Sequence, residues 1–423
     1  MVIKDYNLRE GVDLTVLSTE KFKSNLMIVE LRCPLRKETA THYSLITNVL
    51  SRCCRKYPTL REFNVALEEL YAADLDAYVS KSGEVQKVCF KLSCIENSYT
   101  YDGADVLAGG MRLLGEMIFN PLLEDGAFSA SVMESEKKNL KEEIEALKDD
   151  KARLALSRCI KNMCADEAFS VTTAGDTEIL QSISASELKT SYDELLKSYP
   201  VSIYFMGREA PEKVKEYCER YLPFAPREKR LFNTEVKKGT GDVKYVTEPT
   251  DAVQSRLCMG FRTGRSIKDD DYVALLLACD VLGSPSGKLF MNVREKLGLC
   301  YYCSPMLDGV KGLLIVSAGI FAENRKKAEE AILQQIEALK KGDITERELK
   351  SAKAVAESAY KEIYDSASSI INWYSARRGL GLDISPEEMA ARIKNTTVED
   401  IARVARDIVP DTFYMLEGGA AEC

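Results

Sequence analysis

The sequence predicts an α+β protein made of two homologous modules in tandem, each a mixed or antiparallel sheet covered by helices. Three observations carry this. A chain of 423 residues is too long for one ordinary core and implies two domains of roughly 200 residues each. Both halves close on the same series, a capped helix, a proline, a short strand and a glycine, at residues 184–207 and 397–418, which marks an internal repeat. Between them, residues 227–242 hold Arg227, Lys229, Arg230, Lys237, Lys238, Gly239 and Gly241 without a sustained apolar period, as a linker does. The expected division is therefore 1–226, a linker at 227–242, and 243–423.

In the first half, residues 14–17 and 25–33 read as strands, the second ended by Pro34. Residues 38–56 place Tyr43, Ile46, Val49, Leu50 and Cys53 three and four apart, a helical stripe. Pro58 separates this helix from the next, 59–71, which puts Phe63, Leu67 and Leu70 on one face. Residues 75–79 and 85–92 form a hairpin around Gly83. A helix over 102–119 stops at Asn120-Pro121, and 129–161 reads as one long, charge-dense helix. Ser184-Ala-Ser-Glu187 is a capping box that opens a helix to Ser198. A strand over 201–206 and a helix over 210–221 complete the half.

The second half starts the order again: strands at 243–247 and 255–261, helices at 269–282 and 288–296, and strands at 300–304 and 313–319. Long helices follow at 324–340 and 345–377. Ser385 caps a helix with proline at its first position. Thr397 caps the last helix, and a strand at 412–416 closes the module.

Composition narrows the function. Hydrophobic residues are 45% and charged residues 29% of the chain, an ordinary globular balance, and the net charge of −8 disfavours a nucleic-acid partner. The first 14 residues are broken by Lys4, Asp5, Arg9, Glu10 and Asp13 and lack a secretory h-region, so the expected compartment is the cytoplasm. The 13 cysteines are odd in number and mostly single within apolar runs, which fits reduced core thiols. Cys300 and Cys303 form a C-x-x-C pair, expected to lie in a strand with the two thiols on opposite faces and to serve packing rather than redox or metal binding.

The densest chemistry lies in residues 287–304, Gly-Lys-Leu-Phe-Met-Asn-Val-Arg-Glu-Lys-Leu-Gly-Leu-Cys-Tyr-Tyr-Cys-Ser. Residues 292–296 read as a helix end and 299–304 as a strand start, with Gly298 at the corner. Arg294 and Tyr301 stand on its two arms. A guanidinium and a phenol so placed can converge as donors to an oxyanion, or pair structurally, Arg294 with Glu295 or Glu323.

The Leu-Phe-x-x-Val-Arg-Glu-Lys-x-Gly-Leu-x-Tyr core of this stretch closely resembles the C-terminal-half signature of the pitrilysin/insulinase metallopeptidases, which are inverzincins. Ile118-Phe-Asn-Pro121-Leu, Lys56-Tyr-Pro58 and Ile344-Thr-Glu-Arg-Glu-Leu349 extend the likeness over nearly the whole chain. The resemblance implies two ferredoxin-like modules forming one half of a clamshell around a peptide chamber. Active members carry His-x-x-Glu-His on a helix and a downstream glutamate, which bind zinc and activate water. Anchored on Lys56-Tyr-Pro58, that motif falls on Ser44-Leu-Ile-Thr47-Asn48, so the two histidines and the base are replaced. His42, the single histidine, is about 200° around the helix from Ser44 and reads as a neutral exposed or capping residue. The third-ligand region corresponds to Glu136 and Glu143, seven apart on one helix face. No cofactor is expected; zinc is predicted to be absent from this chain.

The resemblance also implies a role. Its Arg294 and Tyr301 match residues that stabilise the tetrahedral oxyanion in active relatives, and Asp76, Ala77 and Tyr78 match the edge strand to which a peptide adds. The implied function is the non-zinc-binding subunit of a two-chain peptidase, inactive alone, that gives Arg294, Tyr301 and chamber surface to a zinc-bearing homologue. Expected partners are that homologue, or a second copy of this chain, and a peptide substrate. The chain is also similar to the zinc-less member of a pair of bacterial peptidase-like proteins associated with modification of elongation factor P. The alternative is a catalytically inactive peptide-binding, scaffold or regulatory protein of the same fold.

Overall fold

The computed structural model describes residues 1–419. In chain order the first half contains β1 (Val2–Arg9), β2 (Val12–Ser18), β3 (Ser24–Pro34), α1 (Lys37–Arg52), α2 (Leu60–Glu68), β4 (Asp74–Ser82), β5 (Val85–Ile95) and α3 (Val106–Phe119). A small hairpin, β6 (Leu123–Glu124) and β7 (Ala127–Phe128), leads to α4 (Ala130–Ala146), α5 (Lys151–Met163), α6 (Thr177–Ser182), α7 (Ala185–Ser198), β8 (Val201–Gly207) and α8 (Pro211–Tyr221). The second half contains β9 (Lys244–Thr250), β10 (Ser255–Arg262), α9 (Tyr272–Gly283), a π-helical segment (Leu289–Lys296), β11 (Tyr302–Asp308) and β12 (Leu313–Ile320). It ends with α10 (Arg325–Lys340), α11 (Glu346–Glu362), α12 (Ala367–Arg378), α13 (Pro386–Asn395), α14 (Val398–Ala405) and β13 (Val409–Gly418).

Sheet topology carries the repeat. One sheet has the order β1-β2-β8-β3-β5-β4 and the other β11-β12-β10-β13-β9. Reversed, the second order lays β9, β13, β10, β12 and β11 over β2, β8, β3, β5 and β4. The parallel pairs also coincide, β2 with β8 and β9 with β13, every other pairing in the two sheets being antiparallel. The outermost strand β1 has no counterpart among the described residues, and the sequence reading missed it. Its polar pattern is that of an edge strand, where charge discourages pairing with other chains.

Period-two burial builds the first core. On β3, Met27, Val29, Leu31 and Cys33 enter the cluster that also holds Tyr43, Leu45, Ile46 and Phe90. Glu30 and Arg32 point to the other face, as alternation requires. Local caps fix the helix starts: Ser184, Thr345, Ser385 and Thr397 each form a reciprocal capping box with the residue three ahead.

Two expected long helices are broken. The run 129–161 divides after Ala146, and Asp150, accepting from Ala152 N at 3.1 Å and Arg153 N at 3.0 Å, caps the next helix. The run 345–377 divides where Ser366 accepts from Ser369 N at 3.3 Å. In both, a short polar side chain offers the backbone an alternative to continued helix. The breaks fall at matching places in the repeat, and the helix after each joins a different compact unit. The first unit comprises Met1–Ile144, Val171–Asn233 and Ser366–Gly381; the second comprises Glu145–Ser170, Thr234–Asp365 and the chain from Leu382 on. Each unit is thus discontinuous in sequence, an arrangement that contiguous ranges cannot express.

Buried ion networks hold these segments. In the first unit Glu30, 1% exposed, accepts from Ser375 Oγ at 2.6 Å, Arg32 Nη2 at 2.9 Å and Lys87 Nζ at 3.2 Å. Arg32 Nη2 also reaches Ser375 O at 2.8 Å. The approach requires Gly379, where an added Cβ would lie 1.7 Å from Arg32 Nη1. In the second unit Glu167 accepts from Arg262 Nη2 at 2.6 Å, beside buried Lys311, while Arg262 Nε donates to Asp411 at 3.0 Å. Burial alone would raise the Glu167 pKa, but the Arg262 and Lys311 bonds outweigh it and hold the carboxyl down to about 2. A depressed carboxylate stabilises the fold above its unfolded value and loses that contribution as pH falls through the folded one. Glu167 is therefore expected to contribute about 3 kcal/mol at neutral pH, lost between about pH 4.5 and 2. Acid titration of unfolding should show this loss in wild type and not in Glu167→Gln.

Candidate functional site

The corner at 287–304 is built by two glycines and an unusual helix. Gly287 admits no side chain, since a Cβ would meet Leu282 O at 2.7 Å and Ser284 N at 2.8 Å. The expected short helix is π-helical over Leu289–Lys296, a rare form that is frequent at functional sites. Gly298 ends it at φ +62°, a left-handed conformation natural to glycine. The chain then joins the sheet through Tyr301 N, which donates to Gly319 O at 2.9 Å. The strand begins at Tyr302, later than expected, so Cys300 precedes it.

Arg294 and Tyr301 lie in the same unit, and both are open. The Arg294 side chain is 43% exposed, 3.7 Å from Glu295 and 4.8 Å from the Phe290 ring centroid. A surface pair at that distance holds little energy and leaves the guanidinium available. Tyr301 is 54% exposed, its ring edge-on to Phe321 at 5.7 Å, and its hydroxyl has no hydrogen bond among the described residues. The phenol is thus oriented by stacking while its polar end stays free. The expectation that Cys300 and Cys303 alternate across one strand does not hold, because the strand begins at Tyr302 and Cys300 lies outside it. The neighbouring Cys303 thiol and the Arg294 charge lower the Cys300 pKa against the effect of burial.

The zinc positions are closed instead. Ser44 and Thr47 are buried in α1, which packs against β4, α6 and α7. Thr47 Oγ1 donates to Ser44 O at 2.7 Å and Ser51 Oγ to Thr47 O at 2.9 Å, bonds that turn the hydroxyls back on the helix. Asn48 is half-buried. His42 is neither exposed nor a cap: it lies within α1, half-buried, and burial lowers its pKa. Glu136 is buried, 3.4 Å from Arg52 Nε, and accepts from Asn139 Nδ2 at 3.0 Å. A guanidinium on α1 therefore neutralises it. Glu143, on the same helix, is exposed. Among the described residues no group of three histidine, cysteine or acidic side chains is placed to hold a metal ion.

Asp76, Ala77 and Tyr78 lie on β4, the outer strand of its sheet, paired with β5 on one side. Asp76 is exposed, Ala77 buried and Tyr78 half-buried, where burial raises its phenol pKa. One group the sequence reading missed is Asp280 on α9, which packs against the π-helical segment and β11. Burial alone raises its carboxyl to about 7. No local signal in the sequence marks it, since the shift comes from desolvation by distant neighbours.

A family model described as the peptidase M16 inactive domain matches residues 182–355. A Bacillus subtilis (strain 168) protein named "Probable inactive metalloprotease YmfF" is 31% identical over 409 residues, which cover 96% of each chain. A second protein of that organism, "Uncharacterized zinc protease YmxG", is 22% identical over 98% of this chain and 97% of its own. Among solved structures, a conserved protein from Enterococcus faecalis V583 superposes with a TM-score of 0.92 at 28% identity, covering 100% of both chains.

Proposed function

The chain belongs to the M16 peptidase family, and from that premise we propose that it is the non-zinc-binding subunit of a two-chain peptidase, giving Arg294 and Tyr301 to a zinc-bearing homologue. The observation that carries this reading is a contrast within one chain. Of the positions matching the zinc motif, Ser44 and Thr47 are buried and Asn48 half-buried, with the Thr47 hydroxyl bonded back onto its own helix, while the two oxyanion donors are exposed. Side chains kept only for packing are ordinarily buried, and an exposed donor pair beside a left-handed glycine has no packing duty that explains it. In two-chain members of the family one subunit carries zinc and its homologue completes the chamber. Action in the cytoplasm belongs to the same proposal; among the described residues no helix is long and apolar enough to cross a membrane.

Chemically, Arg294 and Tyr301 would donate to the oxygen that becomes negative as water adds to the scissile carbonyl. Donors fixed before the reaction, in a site from which water is excluded, stabilise that charge without reorganising. The test is reconstitution with a zinc-bearing homologue from the same genome. The two proteins should co-elute as a complex and cleave an unfolded peptide in a chelator-sensitive way, while this chain alone should not cleave. Chelator-sensitive cleavage by the isolated chain would overturn the reading.

A second reading, a non-catalytic peptide-binding or scaffold protein, is favoured by the open outer edge of β4. A peptide adding there would use backbone bonds, so Asp76→Pro, which removes a backbone donor, is expected to weaken peptide binding several-fold if that edge of the strand is used. Fluorescence anisotropy of a labelled unfolded peptide measures it, and unchanged affinity would exclude β4 as the binding edge.

A further inference from the structure

The face of the six-stranded sheet turned away from the main core is polar where α12 covers it. Thr15 stands opposite Tyr204, and Ser202 opposite Glu30, on paired strands, with Arg32 one alternation along β3. Helix α12 packs over β3 and β8 on this side. Beside it lies a cavity of about 390 Å³ whose walls include Arg32, Lys229, Arg230, Arg378, Asp5 and Asp13. Four of these are cationic and two anionic.

Each of the four cations has an acidic partner, but their hydrogen-bond donors are unevenly spent. Asp13 is paired with Lys229 at 2.9 Å, Asp5 with Arg378, and Arg230 with neighbouring Glu228. Arg32 is 8% exposed. Its Nη2 serves Glu30 and Ser375 O, but its Nε–H is buried and meets no acceptor among the described residues. A buried guanidinium donor left unmade is costly, and the wall that holds it borders an open space. Tyr6, Tyr204 and Leu231 supply an aromatic and apolar part of the same wall. The volume matches a metabolite-sized ligand rather than a lone ion.

We infer that this cavity binds a small organic anion, its carboxylate or phosphate head against Arg32 and Arg230 and its body along Tyr6 and Tyr204. Arginine suits either head, since its planar donors match both geometries. The site shares no residue with the Arg294–Tyr301 corner and stands whether or not the peptidase reading does.

The full chain is titrated calorimetrically with sodium benzoate and, separately, sodium phosphate, each against sodium chloride at matched ionic strength. Saturable binding of at least one is expected; benzoate alone marks a carboxylate head, phosphate alone a phosphate head. Arg32→Lys keeps a cation opposite Glu30 but removes the Nε–H, and should weaken binding about tenfold. Arg230→Gln lies outside the buried network, so its effect is read without disturbing the fold, and about threefold weakening is expected. A wild type that responds to both anions as to chloride overturns the inference, as does undiminished affinity in either variant.

Discussion

Arg294→Ala is expected to lower kcat/KM for peptide cleavage by the reconstituted pair by about 10²–10³-fold while leaving the stability of this chain unchanged. The magnitude follows from removing a charged donor to a developing oxyanion. The unchanged stability follows from exposure, since among the described residues the only ion pair of Arg294 is the 3.7 Å surface contact with Glu295. Tyr301→Phe should cost less, about tenfold or somewhat more. It keeps the ring on Phe321 and deletes one neutral donor. A thermal melt of each variant beside its peptidase assay separates lost chemistry from lost fold.

Glu30→Ala is expected to destabilise the first unit by about 3–5 kcal/mol, because it leaves Arg32 and Lys87 as uncompensated buried charges. Ser375 would lose its acceptor as well, leaving α12 tied to the sheet through Arg32 and Arg378 and its apolar contacts. Glu30→Gln retains an acceptor for Ser375 and should cost less than the alanine variant. Urea unfolding followed at Trp373, the single tryptophan and a residue of α12, reports on this helix directly. A loss under about 1 kcal/mol would mean that the network does not hold it.

These two results draw on parts of the molecule that differ in how far the sequence reveals them. Capping boxes, prolines and strand alternation are local, so the repeat was legible at 184–207 and 397–418. The breaks at Asp150 and Ser366 were not, because a good cap inside a charged run looks like one more polar position on a helix face. Nor was the joining of α12 to β3: Glu30 and Ser375 are 345 residues apart, and no periodicity carries such a pairing. Arg294 and Tyr301 were readable as a motif; their exposure, on which the proposed role depends, came from the fold. His42 looked exposed because a lone polar residue on a stripe gives no sign of what packs over it. That Glu136 is buried against Arg52 was not legible, because Arg52 lies on another helix.

The central claim is that Arg294 and Tyr301 act in trans, and the double variant Arg294→Ala/Tyr301→Phe tests it most directly. Increasing amounts of wild type or double variant are added to a fixed amount of the zinc-bearing homologue, with complex formation and peptide cleavage measured on the same samples. The account predicts that both proteins bind the homologue with similar affinity and that wild type alone raises cleavage to a saturating plateau. Equal stimulation by the double variant would contradict it.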